Sequence, residues 1–285
     1  MLIKVQDVTH VYEQDHKIKA LEDINLSIAG NEFIGLIGHT GSGKSTLVQL
    51  FNGLIKPTRG DVVVDGENIT REGVKLKHIR QKVGLVFQYP EHQLFEETVY
   101  DDVAFGPLNL SLSEAEIENR VQWALAMVGL DFSEFRDRSP FNLSGGQQRK
   151  VAIAGVLAMK PQVLILDEPS AGLDPGGREQ LINLLTDLHQ KQGMTIILIS
   201  HRMEEIARLS NRVLVLDHGH LVLAGTPAEV FSHRQKMREL DLDLPGITEL
   251  LYRLKERGLS VKTDIFTISG ATREISEELR REDSC

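Results

Sequence analysis

This sequence of 285 residues predicts an α/β fold with a mainly parallel central sheet. Short, near-continuous apolar runs recur along the chain, as expected of strands covered on both faces. Helical patterns lie between several of them, the alternation that joins parallel strands through crossovers. With 41% hydrophobic and 26% charged residues, the chain can bury a large core and carry a second, smaller unit.

The first thirty residues differ from the rest of the chain: "LIKVQDVTHVY" and "ALEDINLSI" read as an N-terminal antiparallel pair. "NEFIGLIG" (31–38), "QKVGLVFQ" (81–88), "QVLILDE" (162–168), "MTIILIS" (194–200) and "RVLVLDHG" (212–219) are the expected central strands. The last of them continues as "VLVLDHGHLVLAG", a hairpin turning at His218 and Gly219. From Leu94 to Gly129 the pattern is mostly helical, and a helical subdomain is expected over about 94–160. "SLSEAEIENRVQWALAMVGL" opens with Ser113 and Glu116 in capping-box spacing and brings Ile117, Val121, Ala124, Leu125 and Val128 to one face. Trp123 and Met127 fall beside that stripe and read as packing residues. A second capping box, "TPAE" with Pro227 at the first helical position, starts a short helix at Thr226.

A large domain over 1–232 is thus expected, followed by a charged stretch, "HRQKMRELDLDLPG", and a small separate unit over 233–285. In that unit "ITELLYRLKERG" aligns Ile247, Leu250, Leu251 and Leu254 on one helix face, and the charged end "TREISEELRREDSC" is expected to fray.

Composition narrows the function classes. A net charge of −9 argues against sequence-independent nucleic-acid binding, which needs a basic face to neutralise phosphates. The single cysteine, Cys285, excludes an intramolecular disulfide and points to a reducing compartment. The N-terminus lacks the apolar core of a signal peptide, and no apolar run approaches the roughly 20 residues of a membrane-spanning helix. Work at a membrane would require a partner.

Three stretches carry chemistry. "GHTGSGKS" fits G-x-x-x-x-G-K-S between a strand and the helical "TLVQLFNGL", the context this phosphate-binding motif requires. Across Gly38, His39, Thr40, Gly41, Ser42 and Gly43 the glycines let backbone amides converge on a polyphosphate at a helix N-terminus. Lys44 would neutralise the β- and γ-phosphates, Ser45 would ligate Mg²⁺, and Thr46 would reach a phosphate nearer the ribose. In "VLILDEP" a strand ends in two carboxylates: Asp167 as a magnesium ligand, and Glu168 to polarise the water that attacks the γ-phosphate. In "IILISHR", His201 follows a buried strand and is placed to meet the γ-phosphate.

These residues resemble the nucleotide-binding subunit of ABC transporters, over about residues 1–230 and with the family's motifs in order. The resemblance implies the P-loop ATPase fold of that cassette, ATP and Mg²⁺ as ligands, and further roles. Gln88 matches the Q-loop glutamine, catalytic and a magnesium ligand. "LSGGQ" at 143–147 matches the signature sequence, with Ser144, Gly145, Gly146 and Gln147. Asp174 in "SAGLDP" matches the D-loop, His201 the switch histidine, and Tyr12 the aromatic residue that stacks on adenine. In this family two cassettes pair head to tail, and the signature loop of one caps the γ-phosphate held by the other. The physics agrees, since glycines permit close approach and "GGQQRKVAIAGVLAMK" continues as a helix whose N-terminus favours an anion.

"FQYPEHQLFEETVYDDVAFGPLNLSLS" together with the signature region looks most like the energy-coupling-factor branch, whose ATPases drive importers of vitamins and transition metals. The likeness extends to the C-terminal unit, which in that group helps hold two ATPases together. The implied partners are a second, identical or different ABC ATPase, a transmembrane coupling subunit and a substrate-binding membrane subunit, at the cytoplasmic face of the cell membrane. Glu91, Glu96, Glu97, Asp101 and Asp102 cluster just after Gln88, and that acidic surface is expected to receive basic residues of the transmembrane partner. Alternatives are an ATPase of another ABC import branch, or a soluble relative acting on ribosomes or DNA. Against the latter stand a single cassette, no heptad array, and only about 100 residues between Gly43 and Ser144. The apolar helix face of the C-terminal unit would pair with another subunit or pack on its own cassette.

Overall fold

In the computed structural model, residues 1–12 and 18–282 are described, the last two by their backbone alone. The expectations placed on Cys285 and the end of the charged tail lie outside the described residues.

Among the described residues, ten strands form two sheets. They are β1 (Ile3–Tyr12), β2 (Ile18–Ile28), β3 (Phe33–Ile37), β4 (Arg59–Val64), β5 (Glu67–Asn68), β6 (Val83–Val86), β7 (Val163–Asp167), β8 (Thr195–Ile199), β9 (Arg212–Asp217) and β10 (His220–Gly225). An antiparallel sheet has the order β2-β1-β4-β5, and a six-stranded sheet the order β10-β9-β3-β8-β7-β6. Within the second, β9, β3, β8, β7 and β6 run parallel. Only β10 is antiparallel, joined to β9 by the expected turn at His218 and Gly219.

The parallel strands are buried on both faces, which is why they read as continuous apolar runs. On β7, Val163 and Ile165 enter the cluster shared with the antiparallel sheet, whereas Leu164 and Leu166 enter the cluster shared with the helices. Ile197 and Ile199 on β8 alternate with Ile196 and Leu198 in the same way. The β4–β5 hairpin was not among the expected strands. Its turn, Asp65 and Gly66 at φ 48° and 81°, is the primed type that matches strand twist and that "DG" between apolar residues signals.

The helices are α1 (Lys44–Phe51), α2 (Leu76–Lys82), α3 (Val99–Leu108), α4 (Glu114–Met127), α5 (Phe132–Phe135), α6 (Gly145–Leu157), α7 (Pro175–Gln192), α8 (Met203–Leu209), α9 (Pro227–Ser232), α10 (Arg234–Glu239), α11 (Gly246–Glu256) and α12 (Ile268–Glu282). The apolar stripe of α4 is buried as expected, with Trp123 and Met127 packed at its margin. Only half of its capping box forms. Ser113 accepts from the Glu116 amide at 3.3 Å, but the Glu116 carboxylate goes instead to Arg120 at 2.8 Å. The box at Thr226 and Glu229 is complete.

The expected boundary at 232/233 falls inside the main core. Met237, Leu240 and Leu242 belong to the same apolar cluster as Val230 and Phe231. A separate small cluster begins at Ile247 and joins Leu251, Leu254, Val261 and Ala271. Leu250, expected on the same apolar face of α11, is 44% exposed.

Candidate active site

Because β3, β8, β7 and β6 are successive parallel neighbours, the residues just past their ends emerge at one edge of the sheet, where ligands of open α/β sheets bind. The phosphate loop follows β3, His201 follows β8, Asp167 and Glu168 end β7, and Gln88 follows β6.

Gly38, Gly41 and Gly43 have φ of 153°, 83° and 103°. A Cβ on Gly38 would press on the Leu216 carbonyl and the Ser42 hydroxyl, and one on Gly43 would lie 2.5 Å from the Ala20 carbonyl oxygen. Only glycine fits either position. Gly41 faces open space, where a ligand has room to approach. Ser42 is wholly buried and donates its amide to the His39 carbonyl at 3.1 Å, closing the loop. The buried Lys44 donates its Nζ to the carbonyls of Gly38 and His39 at 2.8 and 2.9 Å. Burial holds its pKa below the usual lysine value, while the Glu168 and Asp167 carboxylates pull it back up. The cradle therefore presents a desolvated cation at the start of α1, a setting for a phosphate. Thr46 lies beneath the half-exposed Tyr12, their hydroxyls 3.2 Å apart.

Ser45 Oγ donates to Asp167 Oδ2 at 2.8 Å, bringing together residues 122 positions apart. Burial raises the Asp167 pKa, against the Ser45 hydrogen bond and the nearby Lys44 and His201. A hydroxyl and a carboxylate side by side are hard oxygen donors, which fit Mg²⁺. Gln88, two residues past β6, is exposed.

Glu168 has φ 53°, a left-handed conformation that costs a side-chain-bearing residue about 1–2 kcal/mol. Its amide donates to the Ile199 carbonyl at 3.0 Å, which extends the β7–β8 ladder and holds the strained residue at the edge. Burial raises its pKa. His201 Nε2 lies 3.2 Å from Glu168 Oε1, within ion-pair distance but off the hydrogen-bonding direction, so this buried oxygen has no hydrogen-bond partner among the described residues. An unsatisfied buried carboxylate oxygen is costly, and a water or substrate proton would satisfy it.

The signature residues lie apart from this group. Ser144 caps α6 by accepting from the Gln147 amide at 3.3 Å, while Gln147 Oε1 accepts from the Ser144 amide at 3.0 Å. The Gln147 side chain, expected to face another subunit, is thus engaged at its own helix cap. Gly145 and Gly146 are exposed, sit in the first helical turn without positive φ, and a Cβ on either would meet nothing within 4 Å. Asp174 caps α7, accepting from the Gly177 amide at 2.6 Å. It lines the same cavity as Ser144 and Gly146, of about 790 Å³.

Two buried hubs carried no recognisable sequence signal. Arg149 pairs with both oxygens of Glu91 at 3.2–3.3 Å and donates to the carbonyls of Pro169 and Ala171 at 3.0 and 2.7 Å. It ties the segment after Gln88 to α6 and to the loop after Glu168. Glu205 accepts from Ser170 at 2.9 Å and Ser200 at 3.1 Å, joining the loops after β7 and β8. In sequence, Arg149 is only one basic residue in "QQRK".

The five-acid surface is also corrected. Glu91 is spent on Arg149, and Asp102 is buried, accepting from the amides of Phe95 and Glu96 at 3.3 and 3.2 Å. Glu96, Glu97 and Asp101 remain, among the exposed aromatics Phe87, Tyr89, Phe95 and Phe105.

The ABC transporter family matches residues 21–171. The energy-coupling factor transporter ATP-binding protein EcfA2 of Clostridium tetani is 54% identical over 277 residues, 96% of each chain. EcfA2 of Clostridioides difficile is 51% identical over the whole of both chains. Among solved structures, cbiO1 from Clostridium perfringens, part of the ABC transporter complex cbiONQ, is 39% identical with TM-score 0.73, over 88% of this chain and 98% of that one. The cassette MJ0796, a dimer in a post-hydrolysis state bound to ADP and Pi, is 31% identical with TM-score 0.71, over 79% and 98%. The chain belongs to the ABC transporter ATP-binding family and, within it, to the energy-coupling factor ATP-binding proteins.

Proposed function

We propose that this chain is the ATP-binding and ATP-hydrolysing subunit of an energy-coupling factor importer that takes up vitamins or transition-metal ions. It acts at the cytoplasmic face of the membrane, paired with a second cassette on a transmembrane coupling subunit that also carries a substrate-binding membrane subunit. Among the described residues no helix is long and apolar enough to cross a membrane, in keeping with a peripheral place. The observation that carries the reading is the Ser45–Asp167 hydrogen bond, which joins the phosphate loop to the strand-end acids beside Glu168 and His201.

In this reading Tyr12 stacks on the adenine, and the amides from Gly38 to Thr46 and the Lys44 ammonium hold the phosphates. Ser45 and Asp167, with Gln88 as a further oxygen donor, would hold Mg²⁺, which when bound would neutralise phosphate charge. Glu168 orients a water and takes its proton as the water oxygen attacks the γ-phosphorus, and the bond to the β–γ bridging oxygen breaks to release ADP. His201 steadies the γ-phosphate and the ionised form of Glu168.

Pairing rests on Gly145 and Gly146. Glycine in a helical turn costs about 1 kcal/mol relative to alanine, and no described residue lies within 4 Å of where either missing Cβ would sit. That space suits the nucleotide of the other subunit, reached by the free Ser144 hydroxyl proton and the α6 N-terminus. Asp174 borders the same cleft. Glu96, Glu97 and the aromatics around them form the surface for the coupling subunit, and the C-terminal unit helps hold the ATPase pair together.

The test is Glu168→Gln in the assembled transporter. ATP binding should persist, hydrolysis should fall by at least about 100-fold, the scale of general-base catalysis, and a closed pair should accumulate. Undiminished hydrolysis would remove Glu168 from this role.

A further inference from the structure

At the phosphate loop, on the side away from Asp167, lies a cluster of side chains that ATP hydrolysis does not use. β9 runs parallel to β3 with Ile37 opposite Val215, so His39 and Asp217 emerge together two residues further on. His39 Nε2 is 3.0 Å from Asp217 Oδ1, and His218 Nδ1 is 2.7 Å from the same oxygen. The two imidazole rings lie 4.7 Å apart, and one ligand atom from each of the three residues falls within 4.8 Å of the others.

The tautomer of His39 gives the cluster its meaning. Its Nδ1 faces the Thr40 carbonyl at 2.7 Å, a group that only accepts, so Nδ1 carries the proton. In the neutral ring Nε2 then directs a lone pair at the Asp217 carboxylate, also an acceptor. That meeting requires a second proton or a cation. A ring N–H tied to a backbone carbonyl, with the opposite nitrogen left unprotonated, is the usual arrangement of a metal-binding histidine.

The ligands are also held in place. The Gly219 amide donates to the Ser42 carbonyl at 3.1 Å, and the Glu22 amide donates to the Gly219 carbonyl at 2.9 Å. His218 and Gly219, at φ 44° and 82°, form a primed turn that packs closely on β2, since a Cβ on Gly219 would lie 2.9 Å from the Ala20 carbonyl oxygen. The hairpin that presents Asp217 and His218 is thereby fastened to the loop that presents His39, so little ordering would accompany binding.

We propose that His39, Asp217 and His218 form a site for a divalent transition-metal ion of the Zn²⁺ or Co²⁺ class, bound by two imidazole nitrogens and one carboxylate oxygen. Mg²⁺ is disfavoured there, because it selects oxygen ligands. The His218 side chain is 79% exposed, so the ion exchanges with solvent and its remaining positions take water. Occupancy pins the second residue of the phosphate loop to the β9–β10 turn.

The experiment titrates the nucleotide-free, Mg²⁺-free full chain with Co²⁺ and follows its visible d–d absorption. One Co²⁺ per chain should bind, and one equivalent of Zn²⁺ should displace it. His218→Asn, which keeps a residue tolerant of the left-handed turn, and Asp217→Asn should each weaken binding at least about 10-fold, on the scale known for perturbed metal sites. Absence of Co²⁺ absorption by the unaltered chain would overturn the proposal and leave a protonated His39 as the explanation. Equal Co²⁺ affinity in the unaltered chain and both variants would overturn it as well.

Discussion

His201 Nε2 stands 3.2 Å from Glu168 Oε1, yet that buried oxygen accepts no hydrogen bond among the described residues. Glu168 is thus close to a group that favours its charge but not satisfied by it. Burial raises its pKa above the ordinary 4.5, His201 and Lys44 restrain the rise, and Asp167 adds to it. A general base works only when ionised. The acid limb of the kcat–pH profile, measured on the assembled transporter at saturating ATP, should lie above pH 4.5. In whatever activity His201→Ala retains, the limb should move further up; a limb unmoved by that change would contradict the pairing.

The same burial has a stability consequence. Where the folded pKa is raised, the ionised form is penalised in the folded chain; the penalty is absent below the unfolded value of 4.5 and complete above the folded one. Glu168→Gln removes it and should melt above the unaltered chain at pH 7. That advantage should vanish as the pH approaches 4.5. Thermal unfolding across this range checks the sign.

Arg149 should act as a structural keystone. It is 7% exposed and serves Glu91 and two carbonyls at once. Arg149→Ala would leave these acceptors short of donors at a cost of about 3 kcal/mol, read by chemical denaturation. Burial pushes the Glu91 pKa up, but its own backbone amide and Arg149 outweigh that and hold it below 4.5. The contribution of the pair is complete above pH 4.5 and is lost as the pH falls through the folded value. The gap between Arg149→Ala and the unaltered chain should narrow in acid.

Truncation locates the end of the cassette. Cutting after residue 232 removes Met237, Leu240 and Leu242, which are 0%, 6% and 6% exposed within the main core. At about 1.5–3 kcal/mol for each buried side chain, that loss is on the order of 5 kcal/mol. Cutting after residue 245 spares them and should give a cooperatively folding cassette, whereas the shorter chain should aggregate or melt far lower. Equal melting of the two would place the boundary back at 232.

The parts legible in the sequence were those where one physical requirement leaves one pattern. Strands covered on both faces must be apolar throughout, so β3, β7 and β8 stood out. The phosphate loop needs glycine where a Cβ would strike the Leu216 or Ala20 carbonyl, so its spacing was diagnostic. The β4–β5 hairpin carried its signal in "VVVDGEN" but is short and mostly partly exposed. Arg149 and Asp102 were illegible because a charged residue in sequence does not disclose whether its partners will enclose it. The one apolar face read on α11 divides in the fold: Ile247, Leu251 and Leu254 cover the small cluster, and Leu250 remains exposed.

The central claim is that Gly145 and Gly146 serve a nucleotide held by another subunit. Gly145→Leu measures it most directly, since a Cβ there meets no described residue within 4 Å. Affinity of the isolated variant for a fluorescent ATP analogue should stay within about 2-fold of the unaltered chain, while ATP hydrolysis by the assembled pair should fall by at least about 100-fold, the scale of a lost transition-state contact. Loss of binding by the isolated chain, or undiminished hydrolysis by the pair, would contradict it.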